Sequence, residues 1–232
     1  MKEMKVPKKE SSESNYQYAV RVLNQKIMCL ELEPGEIIVE SELIELLKLG
    51  RTPIREAIMR LRDYRLVEVF PKKSSFVSKI DLDYVEEGVL IRESIETNIL
   101  RHLITNISAT YINLLKNNLK QQEEALEKGD IVKMWNLDNA YHKIMFLAAS
   151  KPWSWEIVTQ STTHLDRVRY LMLKAGMYSG DTAYTGHVEI FNLILSGEVP
   201  VLDGYLYNQI TSCYRKTLPE LMSIYVNYFK LT

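Results

Sequence analysis

The chain has 232 residues, 46% hydrophobic and 25% charged, with a formal net charge of −1, a composition typical of folded soluble proteins and a length suited to one large domain or two smaller ones. That balance excludes a globally basic field, so any contact with nucleic acid must rest on a local patch. Two cysteines, Cys29 and Cys213, without CxxC spacing exclude a disulfide framework and a thiolate zinc site, and no apolar run approaches the roughly 18 residues of a spanning helix.

Residues 1–15 are charged and polar and lack the hydrophobic stretch of a signal peptide, so they read as a disordered arm on a cytoplasmic protein. Helical spacing of Tyr16, Ala19, Val20, Val22, Leu23 and Ile27 predicts a first helix, stopped by the turn signal Glu33-Pro34-Gly35. Glu36 to Val39 reads as a short strand. Ser41 is placed to cap a second helix over 42–47, with Gly50 at its C-cap. Thr52 as N-cap and Pro53 at the first helical position mark a third helix, whose buried stripe is Ile54, Ala57, Ile58 and Leu61. Val67 to Phe70, a basic turn at Pro71-Lys72-Lys73-Ser74-Ser75, and Phe76 to Ile80 have the pattern of a hairpin. Three short helices and a hairpin make a winged helix-turn-helix over 16–80.

From Asp81 onward the periods are long and helical. Helices are predicted over 81–105, 108–128, 130–150, 153–176, 181–195 and 200–228, with breaks at Asn106, Gly129, Lys151-Pro152, Gly176 to Gly180 and Gly197 to Pro200. The chain is therefore expected to be mainly α: a winged helix-turn-helix joined to an antiparallel bundle of six or seven helices over 81–232.

A recognition helix enters the major groove N-terminus first. Arg51 and Arg55 stand one turn apart at that end and can reach the same groove. There an arginine grips a guanine edge or a phosphate, and Thr52 suits a phosphate or a thymine methyl. From Arg51 to Lys79 there are eight Lys/Arg against three Asp/Glu, a gradient suited to phosphate. Charge alone fits a solvated helix face equally well. The order of helices, turns and wing is what favours DNA.

In the bundle, Asp138 and His142 are spaced i,i+4 on a stripe with Met134, Met145 and Ala149. His187 lies among Ala183, Tyr184, Ile190, Phe191 and Ile194, and Gln209 among Leu202, Leu206 and Cys213. Polar groups on apolar stripes are costly unless paired, hydrogen-bonded or metal-bound. They are either separate, individually satisfied core groups or one polar site, and a carboxylate with imidazoles suits a divalent transition metal. Arg92, with Glu96 at i,i+4, and Arg167 and Arg169 are candidates for holding an anion. The competing role for each arginine is a salt bridge. His102 and His164 belong to no constellation.

The blocks Glu33-Pro34-Gly35-Glu36, Glu40-Ser41-Glu42-Leu43 and Leu49-Gly50-Arg51-Thr52-Pro53-Ile54-Arg55-Glu56-Ala57-Ile58, with Leu66-Val67, resemble the GntR family of bacterial transcription regulators. The resemblance implies DNA contacts by Arg51, Thr52 and Arg55, with Lys72 and Lys73 supplying the charge of the wing. Ser41 stands where relatives often carry a DNA-contacting arginine, and Arg65 and Ser74 stand where glycines are usual. Leu137-Asp138-Asn139-Ala140-Tyr141-His142, the Arg92 and Glu96 pair, and His187 followed by Ile194-Leu195-Ser196-Gly197 resemble the FCD effector-binding domain of the FadR subfamily. That resemblance implies a metal, zinc or nickel, on Asp138, His142 and His187, with Gln209 where a third histidine is expected. It also implies a small organic or sugar acid as effector near Arg92, Glu96, Arg167, Arg169 and Gln209. The resulting expectation is a homodimeric regulator of operator DNA, in the sense of a repressor, without a membrane anchor. A metal-dependent hydrolase or isomerase fused to a DNA-binding module is the rival reading of the same Asp-His-His set.

Overall fold

The computed structural model describes residues 6–70, 74–177, 180–197 and 205–231, and for 180–181 and 205–214 the backbone alone. Helix α1 (Asn15–Met28) starts in a capping box. The Ser14 hydroxyl accepts from the Gln17 amide, and the Gln17 side chain accepts from the Ser14 amide. The segment before it, expected to be a disordered arm, is held from residue 6 on: Tyr18 donates to Pro7 O, Arg21 donates to Lys8 O and pairs with Glu13, and Val6 packs on the core.

The turn at Gly35 (φ 86°) carries the chain into β1 (Ile37–Ile38). Helix α2 (Glu40–Leu47) begins at Val39, two residues before the cap predicted at Ser41. It ends not on Gly50 but on Lys48, and Lys48 takes the left-handed conformation (φ 54°). Gly50 instead caps α3 (Arg51–Asp63), so Thr52 is a helical residue and not the N-cap. The stripe Ile54, Ala57, Ile58 and Leu61 is buried as its spacing predicts. Strands β2 (Val67–Val69) and β3 (Ser75–Val77) form the hairpin, and β3 is central, pairing antiparallel with β1 (Ile37 opposite Phe76) and β2 (Val67 opposite Val77). The wing lysines Lys72 and Lys73 lie outside the described residues.

Arg65, where a glycine was the usual residue, does adopt a glycine-like φ of 60°. Its guanidinium lies over the Tyr84 ring, 4.0 Å from the centroid, a cation–π contact that offsets part of the backbone strain.

The second half is helical: α4 (Leu82–Thr105), α5 (Ala109–Glu127), α6 (Ile131–Ala148), α7 (Pro152–Ser161), α8 (Thr163–Lys174), α9 (Gly180–Ser196) and α10 (Tyr205–Ile224), then a 3-10 turn, Val226–Tyr228. The single helix predicted over 153–176 is two. The break falls in Ser161-Thr162-Thr163, a run of weak helix formers, where the Thr162 hydroxyl donates to Asp166 instead of following the helix. α4, α5, α6 and α9 enclose a core around Leu100, Leu115, Tyr141 and Phe146.

The two halves are not separated by a bare linker. Cys29, Leu30 and Ile80 share a buried cluster with Val85, Leu165, Val168, Leu221 and Phe229, and the C-terminal segment returns to it, with Lys230 donating to Ile80 O and Ile80 to Tyr228 O. Among the described residues, no helix is long and apolar enough to cross a membrane.

Candidate functional site

Three of the four polar residues read off the apolar stripes of the bundle lie together. α6 supplies Asp138 and His142, α9 supplies His187, and all three are buried. One atom from each lies within 4.8 Å of the other two. His187 Nδ1 is 2.9 Å from Gln122 Oε1, so Nδ1 carries the proton and Nε2 presents a lone pair. Gln122 is itself fixed, donating to Asn118 Oδ1, and Asn118 donates to Leu137 O. Tyr141 stacks on the His187 ring and donates to its backbone carbonyl.

On the other side, His142 Nδ1 lies 3.0 Å from Glu96 Oε2. The two atoms are close but out of line for a hydrogen bond, and among the described residues neither has another hydrogen-bonding partner. A proton on Nδ1 suits the facing carboxylate and again leaves Nε2 as a donor of electrons. The two Nε2 atoms face each other at 3.3 Å, with Asp138 Oδ1 at 3.6 Å from that of His187.

Two facing lone pairs repel unless a proton or a cation lies between them. Tetrahedral zinc with Zn–N of about 2.0–2.1 Å sets neighbouring nitrogens about 3.3–3.4 Å apart. The donor set, its spacing and the second layer of Gln122 and Glu96 therefore fit a divalent transition metal. Gln209, expected at the fourth position, is on α10, and its side chain lies outside the described residues.

Charges around the cluster keep its acids ionised. Burial alone would raise Glu96, but Arg92 and His142 outweigh it and bring its carboxyl down to about 2. For Asp138, burial is likewise overridden, by Arg169 and the two imidazoles, and its carboxyl is held far below the usual carboxylate range. Burial lowers His187 to about 3 against the pull of Asp138, so its imidazole is neutral at ordinary pH, as a metal ligand must be.

Two of the three arginines singled out border this cluster. Arg92 donates to Glu96 Oε1 at 2.8 Å and lies 3.5 Å from Asp166 Oδ1. Arg169 bridges Asp138 Oδ2 at 2.7 Å and Asp166 Oδ1 at 2.9 Å. Arg167 does not join them. It points the other way on α8, fully buried, donating to Ser78 O at 2.6 Å and to Ser78 Oγ at 3.1 Å. Grouping it with Arg92 and Arg169 by sequence proximity fails because residues two apart on a helix lie on different faces.

Asn118, Gln122 and Asp166 were not foreseen as part of the site. Gln122 sits i,i+4 from Asn118 on the buried side of α5, a signal of the same kind that marked Asp138 and His142. His164, assigned to no constellation, is buried at the seam between the two halves.

The second group of residues lies at the N-terminal turn of α3, where Arg51, Thr52 and Arg55 are exposed. Ser41 on α2 is exposed too, and Arg55 pairs with Glu40 at 2.9 Å. These side chains crowd one end of an amphipathic helix whose other face is the domain's core.

Residues 15–77 match the model of the bacterial regulatory proteins of the gntR family, and residues 87–200 match that of the FCD domain. A Streptomyces ambofaciens protein described as an uncharacterized HTH-type transcriptional regulator in an unstable DNA locus is 33% identical over 179 residues, 77% of this chain and 75% of that one. The HTH-type transcriptional repressor RspR of Escherichia coli K12 is 29% identical over 155 residues, 67% and 68% of the two chains. Among solved structures, E. coli McbR/YncC superposes with a TM-score of 0.73 at 18% identity, over 92% of this chain and 99% of that one. A GntR regulator from Rhodococcus sp. RHA1 gives the same TM-score and identity over 89% and 99%. The matching families and relatives are transcriptional regulators and not enzymes, so the hydrolase reading of the Asp-His-His set is set aside.

Proposed function

The chain belongs to the gntR family of bacterial regulatory proteins and carries an FCD domain, and from that premise we propose that this transcriptional regulator is a ligand-controlled repressor. Arg51, Thr52 and Arg55 enter the major groove of operator DNA, with Ser41, Lys72 and Lys73 on the flanking phosphates. A homodimer presents two such helices to two half-sites. Operator DNA places its work in the cytoplasm. The repressor sense is supported by the relative RspR, which carries that description.

The observation that carries the sensing half is the pair of imidazole Nε2 atoms facing each other beside a carboxylate, 3.3 Å apart in the buried interior of the bundle. Asp138, His142 and His187 would hold a zinc or nickel ion, with Gln209 at the fourth place. A bound divalent cation supplies there a Lewis-acidic anchor for a carboxylate ligand. Arg169 and Arg92, bordering the cluster, add positive charge for an organic or sugar acid, and Glu96 orients His142. A ligand that favours one arrangement of the bundle shifts operator affinity by its differential affinity for the two states.

The test is operator binding of the full chain, using a fragment selected from random DNA, with zinc and a panel of small carboxylic and sugar acids. Binding that responds to at least one acid in the wild type, but not in His142→Ala, is the expected result. Operator binding indifferent to every acid, with no metal bound, would reduce the bundle to a dimerisation block.

A further inference from the structure

Helix α8 carries two sets of contacts on two of its faces. On the first, Asp166 Oδ1 takes Arg169 at 2.9 Å and Arg92 at 3.5 Å, Asp166 Oδ2 accepts from the Thr162 hydroxyl at 2.8 Å, and Arg169 holds Asp138 at 2.7 Å. Asp138 is one of the three groups of the histidine cluster. On the second face, Thr163 donates to Tyr64 O at 3.0 Å and His164 Nε2 to Arg65 O at 3.1 Å. His164 Nδ1 accepts the Asp81 amide at 3.0 Å, and Arg167 grips Ser78 through its carbonyl and hydroxyl. Tyr64 is the C-cap of α3, Arg65 is the left-handed residue after it, and Ser78 follows the last strand of the wing.

These second-face contacts are expensive. Among the described residues, Arg167 is buried against neutral acceptors only, Ser78 and the His164 ring, and burial lowers its pKa to about 9. A buried guanidinium without a carboxylate contributes little net stability, and its geometry is that of a clasp on one backbone segment. The N-terminal turn of α8 also has no slack behind it. A Cβ at Gly88 of α4 would stand 3.2 Å from Leu165 Cβ and 3.5 Å from Thr162 Cα. A helix is stiff over a single turn, so a displacement at Asp166 and Arg169 is delivered to Thr163, His164 and Arg167.

We propose that α8 is the coupling element of this chain: Asp166 and Arg169 read the state of the Asp138, His142 and His187 cluster, and Thr163, His164 and Arg167 transmit it to the end of the recognition helix and the root of the wing. The role of the cluster as the sensor rests on the function proposed above; the mechanical link does not, and it is tested without any ligand.

The test is amide hydrogen exchange on the full chain. Asp166→Asn loosens the first face, and Arg169→Gln, a second variant, does so while also releasing the Trp135 ring that the Arg169 guanidinium covers. The expected result is faster exchange of the Asp81 amide, bonded to His164, and of the Ser78 amide, bonded to Leu66 O. The increase should be at least about 5-fold, the low end of coupling energies, while Leu115 in α5 and Ile58 in α3 stay within about 2-fold. Unchanged Asp81 and Ser78 in both variants overturns the proposal, as does an equal increase at Leu115 and Ile58, which marks general loosening.

A second arm adds zinc alone to the wild type, to Arg167→Met and to His164→Gln, with binding followed by calorimetry. Zinc that binds all three but alters Asp81 and Ser78 exchange only in the wild type supports the coupling. Zinc that alters them equally in all three overturns it. Zinc that binds none refutes the metal half of the sensor reading, and the coupling is then decided by the Asp166 and Arg169 variants.

Discussion

Nε2 of His142 and Nε2 of His187 face each other at 3.3 Å, while Nδ1 of each ring meets an oxygen, Glu96 in one case and Gln122 in the other. Neither ring can turn its proton inward without setting a bare Nδ1 against an oxygen. The pair therefore attracts a divalent cation more strongly than two unconstrained histidines would.

Zinc titration should show this directly. Gln122→Leu removes the acceptor that orients His187 and should weaken zinc binding by about 10–100-fold, the usual cost of losing an outer-layer partner. His142→Ala should bring binding below detection while far-UV circular dichroism stays that of the wild type. With an amide at the fourth place, metal in the purified protein should be substoichiometric and easily dialysed away. Tight stoichiometric zinc or nickel would show that Gln209 ligates as well as an imidazole does.

Acid should destabilise the fold early. Burial lowers both His187 and His164 from 6.5 to about 3, with Arg167 adding to the effect at His164. Above about pH 7.5 neither the folded nor the unfolded chain protonates these rings appreciably, so they add no pH dependence there. As pH falls from about 6.5 toward 3, the unfolded chain takes up protons that the folded chain refuses, and stability falls with it. Thermal melts should be level from about pH 8.5 to 7.5 and decline below that. His164→Gln should make the decline shallower, and an unchanged slope would mean that this ring is already protonated in the fold.

On the DNA side, Arg55→Ala should cost about 1–3 kcal/mol of operator binding at fixed salt, read by fluorescence anisotropy. Arg55 must leave Glu40, an exposed partner whose pairing is worth at most about 1 kcal/mol. Glu40→Gln should accordingly strengthen binding slightly. Wild-type affinity in Arg55→Ala would remove it from the groove.

Gly88→Ala sets two effects against each other. Alanine gains about 1 kcal/mol of helix propensity, while overpacking against a neighbouring helix costs about 1–3 kcal/mol. The atoms it meets are Leu165 Cβ and the Thr162 backbone, which cannot rotate away, so overpacking wins. The expected change is a melting temperature about 2–4 °C lower; a stabilised variant would show that α8 can slide.

The elements and their apolar faces were legible along the chain because local spacing and turn chemistry specify them. The stripe Ile54, Ala57, Ile58 and Leu61, the Gly35 turn and the placing of Asp138 and His142 on one face of α6 all follow from neighbours within a few residues. Cap positions were less legible: Gly50 and Lys48 took the roles read for Thr52 and Gly50, since a cap depends on backbone angles that several residue types can adopt. The convergence of His187 with Asp138 and His142 was suggested by family pattern and by the cost of burying each. Its geometry, with Gln122 and Glu96 imposing the tautomers, comes from packing α4, α5, α6 and α9 together.

Arg167 and Arg169 mark the limit. Two residues apart, they read as equivalent cations. The break at Thr162 sets the rotation of α8, and that rotation sends Arg169 to Asp138 and Arg167 to Ser78. Periodicity and turn signals determined that this chain folds as a winged helix-turn-helix joined to a helical bundle. Which charges enter the cluster and which clasp the seam was decided only by the tertiary structure, because a side chain's partner depends on the rotation of its helix against elements far away in the chain.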